Sequence, residues 1–400
     1  MYFNLFYFFN TFFFFSFFYS IKNIICEEQI SKENQKEYPK VKQLISGEYL
    51  LILNDGIYIY DKDFSNIKKS YNFISDQRNY FDLFFNKIVI SEFNDDNDYF
   101  VLCLVKNYIY LFNNNTYNIS SYRLNENLLR KSCNLIPFKY KNDSFDFVIT
   151  YIETSKENCQ YSSSSYEIFT LNFFHYKIQF SLNGNQDIIL KKKNEYKDII
   201  QPCRSPNSNS YFSCQILPHN NSMICFYNAY NSIAVSLFSL EDFNKTNNYD
   251  YYIQINNNIT SINEIKSFLV NSNKIFICLS GSSKIYSFLT ICFNYNIQSK
   301  NSSNIFTYSY ICRNFKNVYF KETQDYILMC KEIQNVLLIK INEINIGKYE
   351  EERTYVYYYY YDSVYDFSLN YNRYESEYYI ISSCQTYDYY WKIKIKNVFF

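Results

Sequence analysis

The stretch Tyr99–Phe112 reads YFVLCLVKNYIYLF, which is an apolar strand, a short polar break and a second strand rich in aromatic and branched residues. Side chains of these types favour strands over helices. The same strand–break–strand pattern occurs seven times, at Tyr49–Tyr60, Tyr99–Phe112, Phe147–Thr170, Met223–Leu240, Ile275–Thr290, Tyr326–Ile341 and Tyr378–Ile395. The chain is therefore built from a repeated all-β unit.

The spacing of the copies predicts how these units are arranged. They recur at about 40–50 residues, which is the length of one blade in a β-propeller. Strands such as Tyr99–Val105 are apolar on both faces, as expected for a sheet that packs between two others. We predict an all-β fold, a seven-bladed β-propeller forming one domain over residues 41–397, with a charged lead-in at residues 27–40. Tandem β-sandwiches are the main alternative, and a parallel β-helix would need a repeat of about half this length.

The third repeat is longer than the others, and its extra length is polar. The additional residues fall in Glu153–Ser165 and Asn183–Ser210, which are rich in turn-forming residues. We predict that both stretches are loops on one rim of the propeller. Loops on a rigid scaffold are the usual place for binding, so this rim is the predicted ligand face.

The N-terminus predicts export. Residues 1–21 are dominated by Phe, Tyr and Leu, and Lys22, Glu27 and Glu28 follow this apolar run. We predict a signal peptide at residues 1–26 and a secreted or cell-surface location. A membrane anchor formed by residues 1–21 is the first alternative, because the run just reaches the length of a bilayer span. A buried strand or helix is the second.

Seven sequons for N-glycosylation are consistent with export, although a chain so rich in Asn, Ser and Thr contains about that number by chance. The candidate asparagines are Asn114, Asn118, Asn142, Asn220, Asn244, Asn258 and Asn301.

The cysteine positions predict one disulfide. Cys214 and Cys225 lie on either side of a turn predicted at Pro218–Asn221, so a hairpin would set them face to face in an oxidising compartment. Two buried thiols are the alternative. Five cysteines, Cys225 among them, recur on equivalent strands, and most of them are predicted to be buried thiols that do not pair with one another because blades lie too far apart. These positions are Cys103, Cys225, Cys278, Cys330 and Cys384.

No residue pattern commits the chain to a reaction. There are 39 basic and 39 acidic residues, so no net charge directs it to nucleic acid or to an anionic membrane. The two histidines, His175 and His219, stand in an aromatic strand and at a predicted hairpin tip. The pairs Asp61/Asp63 and Asp95/Asp96 lack the rest of a calcium loop. We predict no catalytic, cofactor-binding or metal-binding residue, and no cofactor.

In pattern, the chain resembles the propeller-like ectodomains of exported proteins from A/T-rich protists. The resemblance covers about residues 41–397 and is carried by the seven cores, by Ser213-Cys214-Gln215 and by the pairs Asp98-Tyr99 and Asp325-Tyr326. It implies recognition at a cell surface or outside the cell, and it transfers no functional residues.

Together these observations predict a function in binding. We expect an exported or cell-surface propeller module, a glycoprotein without catalytic activity, that binds a protein or a glycan. The alternative from another class is a propeller hydrolase acting on glycans. A membrane is an expected partner only if the N-terminal segment is retained. Converging carboxylates with raised pKa values at the propeller axis would favour the hydrolase.

Overall fold

A computed structural model describes the following residues, to which all structural statements refer: 21–25, 31–33, 40–44, 46–53, 56–62, 65–73, 88–95, 98–105, 107–113, 118–124, 133–141, 144–157, 166–180, 186–202, 212–217, 221–229, 232–242, 244, 246, 251–254, 259–283, 289–308, 313–320, 323–331, 335–345, 348–358, 363–372, 376–385, 390–396 and 398. The regular elements among them are all strands.

The chain divides into two compact units, and the larger comprises Glu37–Ile311. It contains five four-stranded sheets, numbered here in chain order. Sheet 1 has β3 (Lys40–Gln43), β4 (Tyr49–Ile52), β5 (Gly56–Tyr60) and β6 (Ile67–Asn72). Sheet 2 has β7 (Val89–Asp95), β8 (Asp98–Val105), β9 (Tyr108–Asn113) and β10 (Asn118–Arg123). Sheet 3 has β11 (Cys133–Lys141), β12 (Ser144–Glu157), β13 (Tyr166–Phe180) and β14 (Gln186–Pro202). Sheet 4 has β15 (Phe212–Leu217), β16 (Ser222–Ala229), β17 (Ser232–Ser239) and β18 (Tyr251–Gln254). Sheet 5 has β19 (Ile259–Asn271), β20 (Lys274–Ser283), β21 (Leu289–Asn296) and β22 (Ser302–Tyr308).

The smaller unit comprises Met1–Lys36 and Cys312–Phe400 and contains two sheets. Sheet 6 has β1 (Ile21–Ile25), β23 (Arg313–Phe320), β24 (Asp325–Lys331), β25 (Asn335–Asn345) and β26 (Lys348–Tyr357). Sheet 7 has β2 (Ser31–Glu33), β27 (Ser363–Asn372), β28 (Glu377–Gln385) and β29 (Tyr390–Lys396). The described strands thus form six four-stranded sheets and one five-stranded sheet.

Each sheet in the larger unit is an antiparallel meander whose strands pair in chain order. Consecutive sheets pack face to face, and alternate residues of one strand therefore belong to different cores. In β8, Phe100, Leu102 and Leu104 pack toward sheet 3. Val101 and Cys103 pack toward sheet 1. This double burial is why the central strands are apolar on both faces.

The smaller unit includes two strands that precede the repeats in sequence. β1 pairs in parallel with β26, and β2 pairs antiparallel with β29. β1 lies within the predicted signal peptide, and β2 lies within the predicted lead-in. Cleavage at about residue 26 would remove β1 from sheet 6 and leave β2 in sheet 7. The predicted leader residues 1–20 lie outside the described residues.

Two glycines meet backbone requirements in sheet 1. Gly47 has a φ of 86°, in the left-handed region that favours glycine. Gly56 opposes Asn72, and a Cβ built on it would lie 2.3 Å from the carbonyl oxygen of Tyr71. The left-handed non-glycine residues that the structure describes are Asn221, Lys300, Gln324 and Ser376. Only one of these four is an asparagine.

Candidate functional site

Sheet 3 differs from the other sheets in the length of its strands. In the described part of the chain, β11 begins at Cys133, which pairs with Tyr151 of β12. Beyond that point β12 continues to Glu157, paired with β13, which in turn pairs with β14 up to Pro202. We call this three-stranded part, residues 152–157, 166–171 and 196–202, the sheet 3 extension. Six residues of strand reach about 20 Å beyond Cys133.

The extension corrects the prediction of two long rim loops. Residues 153–157 are the end of β12, and residues 186–202 are β14. The remaining residues of both predicted loops, 158–165, 183–185 and 203–210, lie outside the described residues. These polar stretches are strands because each is paired along its length with β13, which local composition does not reveal.

The alternation of strand direction places the extension at one end of the sheet. β12 and β14 run toward it and β13 runs away from it. The connection from β12 to β13 and the connection from β14 to sheet 4 therefore leave from the same end. Residues 153–157 and 196–202 of the two predicted loops lie at this end of the sheet, whereas Gln186, where β14 begins, lies at the other end.

β14 is the last strand of sheet 3 in the part of the chain that the structure describes. Its side chains include Ile189 and Leu190, which are 42% and 39% exposed, followed by exposed Lys191 and Lys193. A register shift between His175 and Tyr176 of β13 makes Lys191 the additional residue of a β-bulge. β14 therefore presents an apolar and basic surface beside its outer backbone edge.

A polar cluster adjoins this surface and is formed by buried Asp146, partly buried His175 and exposed Lys191. His175 Nε2 is 2.7 Å from Asp146 Oδ1, and Lys191 Nζ is 3.4 Å from the same oxygen. The ring of Phe138 packs against the His175 ring with 5.2 Å between centroids. Burial raises the pKa of the Asp146 carboxyl, but the hydrogen bond to His175 and the charge of Lys191 outweigh burial and lower the pKa overall. The cluster joins β12, β13 and β14.

First strands of neighbouring sheets in the larger unit lie beside one another, β7 against β11, β11 against β15 and β15 against β19. Charged groups on these strands are paired. Lys42 Nζ of β3 lies 2.7 Å from Glu92 Oε1 of β7, and the Tyr99 hydroxyl donates a hydrogen bond to the same carboxylate. On β19, Lys266 Nζ lies 3.6 Å from Glu264 Oε1. Both glutamates therefore have a lysine neighbour.

A neutral network links sheets 4 and 5 through two residues of the Ser213-Cys214-Gln215 motif. Ser213 Oγ lies 2.7 Å from Ser267 Oγ and accepts the Ser267 amide at 3.0 Å. Gln215 Nε2 donates to the Ser267 carbonyl at 2.9 Å. The motif therefore joins neighbouring first strands.

The smaller unit has comparable links between its sheets. Lys316 Nζ of β23 lies 2.8 Å from Asp366 Oδ1 and donates to the Phe367 carbonyl at 2.6 Å. At the start of β24, Asp325 accepts a hydrogen bond from the Tyr378 hydroxyl of β28. Burial, together with this bond to a carboxylate, raises the pKa of Tyr378.

The structure joins Cys214 to Cys225 by a disulfide, and the two residues are directly opposite in the β15–β16 register with 4.1 Å between their Cα atoms. A second disulfide joins Cys278 to Cys292, also opposite one another with 4.1 Å between Cα atoms. Sequence reasoning missed it, although the midpoint of that pair, Ile285, falls between β20 and β21 just as the first midpoint falls in its hairpin.

The prediction that most of the recurring cysteines are buried thiols is wrong. Cys225, Cys278 and Cys330 are all in disulfides, and Cys103 is a buried thiol. For Cys225 and Cys278 the partner lies on the adjacent strand of the same sheet, so the distance between blades is no obstacle. Burial raises the pKa of Cys103 to about 12.

Two of the seven predicted sequon asparagines, Asn244 and Asn301, are exposed in turns. Asn244 Nδ2 donates to Asp242 at 2.7 Å. Asn118 begins β10. The other four, Asn114, Asn142, Asn220 and Asn258, lie outside the described residues.

The residues considered as possible catalytic or metal-binding groups lie in separate parts of the structure. His175 belongs to the polar cluster that adjoins the β14 surface, and His219 lies outside the described residues. The Asp61 carboxylate accepts hydrogen bonds within its own turn from Ser65 N at 2.8 Å and Asn66 Nδ2 at 2.9 Å. Among the described residues, no three His, Cys, Asp or Glu side chains gather as a metal site requires. The same residues contain no helix long and apolar enough to cross a membrane.

Comparison with known proteins identifies the fold. No protein-family model and no curated protein matches this chain. Among solved structures, the β-propeller domain of Cps50 (Swd1) from Myceliophteria thermophila is 7% identical, with a TM-score of 0.51 over 92% of this chain and 99% of that chain. The chain folds as a β-propeller. The tandem β-sandwich alternative is therefore wrong.

Two further similar structures score lower. The β-propeller domain of Nup133 from Vanderwaltozyma polyspora is 11% identical, with a TM-score of 0.45 over 90% of this chain and 94% of that one. The WD40 domain of SCAP from fission yeast is 8% identical, with a TM-score of 0.39 over 92% and 97%. The fold assignment depends on the Cps50 propeller alone. At sequence identities this low, structural similarity shows a shared fold and not a shared function.

Proposed function

We propose that this β-propeller is an exported protein-binding module whose contact surface is the sheet 3 extension. The observation that carries the proposal is the extension itself, because three strands of one sheet continue past Cys133, where the described part of β11 begins. Leu171 and Ile152, at the base of the extension, pack with sheet 4, and elements that extend from a rigid scaffold usually bind. We also propose seven blades, one for each sheet.

Export is proposed from the disulfides. Two bonds between adjacent strands, Cys214–Cys225 and Cys278–Cys292, are of the kind that persists in an oxidising compartment and is rare in the cytosol. The apolar N-terminal run supplies a signal for export. Localisation of a tagged full-length chain, with N-terminal sequencing of the mature product, tests this part.

Binding without catalysis is proposed from the charged groups. A general acid at neutral pH needs a raised carboxyl pKa, whereas the pKa values of Asp61 and Asp146 are both lowered. Glu92 and Glu264 each lie beside a lysine instead of converging on one another. These arrangements favour a module that recognises a ligand.

Site-specific photo-crosslinking tests the contact surface. A photoreactive residue replaces Glu157 at the tip of the extension in the full-length protein, and a matched residue replaces exposed Lys69 on β6 as the control. We expect discrete crosslinked species at the surface of the producing cells from position 157 and none from position 69. Equal yields from the two positions would overturn the proposal.

A shortened variant provides a second measurement. The register places Thr154 opposite Phe169, so residues 155–168 can be replaced by an Asn-Gly turn that closes the hairpin at that pair. We expect this variant to keep the thermal unfolding of the wild type and to lose cell-surface binding by at least about tenfold, or about 1.4 kcal/mol. Unchanged binding would contradict the proposed surface.

A further inference from the structure

The outer edge of β14 offers a long backbone for pairing. β14 has 17 residues, and it is the terminal strand of sheet 3. The terminal strands that end the other sheets of the larger unit, β6, β10, β18 and β22, have between four and seven residues. In the smaller unit the ten-residue β26 is paired with β1 over Arg353–Tyr357. Of the described strands, β14 therefore has the longest terminal edge.

We propose that β14 accepts an extended acidic segment of a partner protein as an added strand, an inference that rests on the proposed binding function of sheet 3. A terminal strand presents alternate N–H and C=O groups outward, and an extended peptide can pair with them as it does in strand-addition complexes. Main-chain pairing supplies affinity and the neighbouring side chains supply selectivity. The side chains of β14 indicate what is selected.

Basic residues select an acidic segment. Lys191, Lys192 and Lys193 are consecutive in the middle of β14. Lys191 and Lys193 are exposed, and Lys193 Nζ lies over the Phe174 ring at 5.3 Å from its centroid. Lys191 Nζ lies on the other face of the sheet, against Asp146, so carboxylates on one face of a paired strand would lie directly or diagonally opposite the Lys193 ammonium group, and such cross-strand pairs are stabilising. Exposed Ile189 and Leu190 supply an apolar contact before the lysines.

A second copy of this chain is less complementary to β14 than an acidic segment. Antiparallel pairing of two β14 strands about Lys192 would bring the lysines of both copies together, and like charges opposite one another are destabilising. Pairing about Leu190 would set Asp187 opposite Lys193, but it would leave Lys191 and Lys192 opposite Ile189 and Ile188. The favoured occupant is therefore a different chain with alternating carboxylates along one face.

Hydrogen exchange with defined peptides tests strand addition. The probes are a synthetic peptide alternating glutamate with valine, a matched lysine–valine peptide, and the acidic peptide interrupted by prolines that keep its charge and remove its donors. We expect the glutamate–valine peptide to slow exchange at alternate amides of β14 in the full-length protein, and the other two to have no such effect. Unchanged β14 exchange, or equal protection by the proline-interrupted peptide, would overturn the proposal.

Charge reversal provides the matched comparison. Lys193→Glu should weaken binding of the glutamate–valine peptide about tenfold, because an attractive pair becomes a repulsive one. Lys69→Glu, at an exposed lysine on the terminal strand β6, should leave the affinity unchanged. If Lys193→Glu does not fold, the affinity of the wild-type protein for the glutamate–valine peptide is measured at increasing salt concentration. An affinity that does not change with salt would refute the charge argument.

The two proposals fail separately. Crosslinking from Glu157 with no β14 protection by the acidic peptide would leave the sheet 3 extension as the contact surface and reject strand addition. Loss of both signals would reject the binding surface altogether.

Discussion

Removing the two cross-strand disulfides should lower the free energy of unfolding by an amount set by the loops they close. Cys214–Cys225 has a sequence separation of 11, and Cys278–Cys292 has a separation of 14. Chain-entropy loss in the unfolded state for loops of this size corresponds to about 3 kcal/mol each. The loops do not overlap in sequence, so we expect the two losses to add to about 6 kcal/mol.

Urea unfolding followed by far-ultraviolet circular dichroism measures these losses. The variants are Cys214→Ala with Cys225→Ala, Cys278→Ala with Cys292→Ala, and all four together, in oxidising buffer. Cys133→Ser is the control, because it changes a partly exposed thiol and leaves both bonds in place, so its effect should stay within about 0.5 kcal/mol. Equal unfolding midpoints for the wild type and the four-cysteine variant would refute the assignment of these bonds as stabilising links.

Three further outcomes follow from the geometry. Gly56→Ala should lower the free energy of unfolding by about 1–3 kcal/mol and speed amide exchange in β6, because a Cβ would lie 2.3 Å from the Tyr71 carbonyl oxygen; unchanged exchange would contradict the close approach. The pKa of Asp146 is lowered on folding, so its contribution is present above its unfolded pKa of about 4 and is lost as pH falls through the folded pKa. Acid unfolding of Asp146→Asn should accordingly show a weaker dependence on pH than that of the wild type, and parallel curves would argue against the cluster. Cys103, which is buried with a pKa raised to about 12, should resist iodoacetamide in the folded protein and react once urea unfolds it; rapid alkylation under native conditions would mean that β8 is not packed as described.

The central strands were predictable because their environment is uniform. Tyr99–Val105 is apolar on both faces, and the structure buries both faces against neighbouring sheets. The register of Cys214 and Cys225 followed from one hairpin midpoint, since antiparallel pairing about a tight turn leaves few alternatives.

Long-range pairing was not predictable from local composition. The sequence of residues 186–202 resembles a loop because a terminal strand exposes much of its surface. The strand that pairs with these residues is β13, which ends at Phe180, and this pairing is not visible in their own composition. The sequence of Glu343–Arg353 has weak helical periodicity, yet residues 343–345 belong to β25 and residues 348–353 to β26, which pair with each other. Asp146 and His175 are 29 residues apart, so their contact appears only when the β12–β13 register is known.

Left-handed turn positions show the same limit. Asparagine tolerates the left-handed conformation better than other non-glycine residues, but Lys300, Gln324 and Ser376 occupy three of the four described non-glycine positions. Strand pairing on both sides holds these residues in place despite the modest cost of their conformation. The preference of glycine and asparagine for left-handed backbone positions is therefore outweighed where the paired strands already fix the hairpin.

The pairing of β2 with β29 sets a time order for synthesis. Lys32 pairs with Trp391, and the difference in position, 391 − 32, is 359 residues. At a translation rate of about 5–20 residues per second, β2 leaves the ribosome roughly 20–70 s before its partner exists. Sheet 7 is therefore among the last parts of the molecule to complete, and until then the N-terminal strand is available to chaperones or to the export machinery.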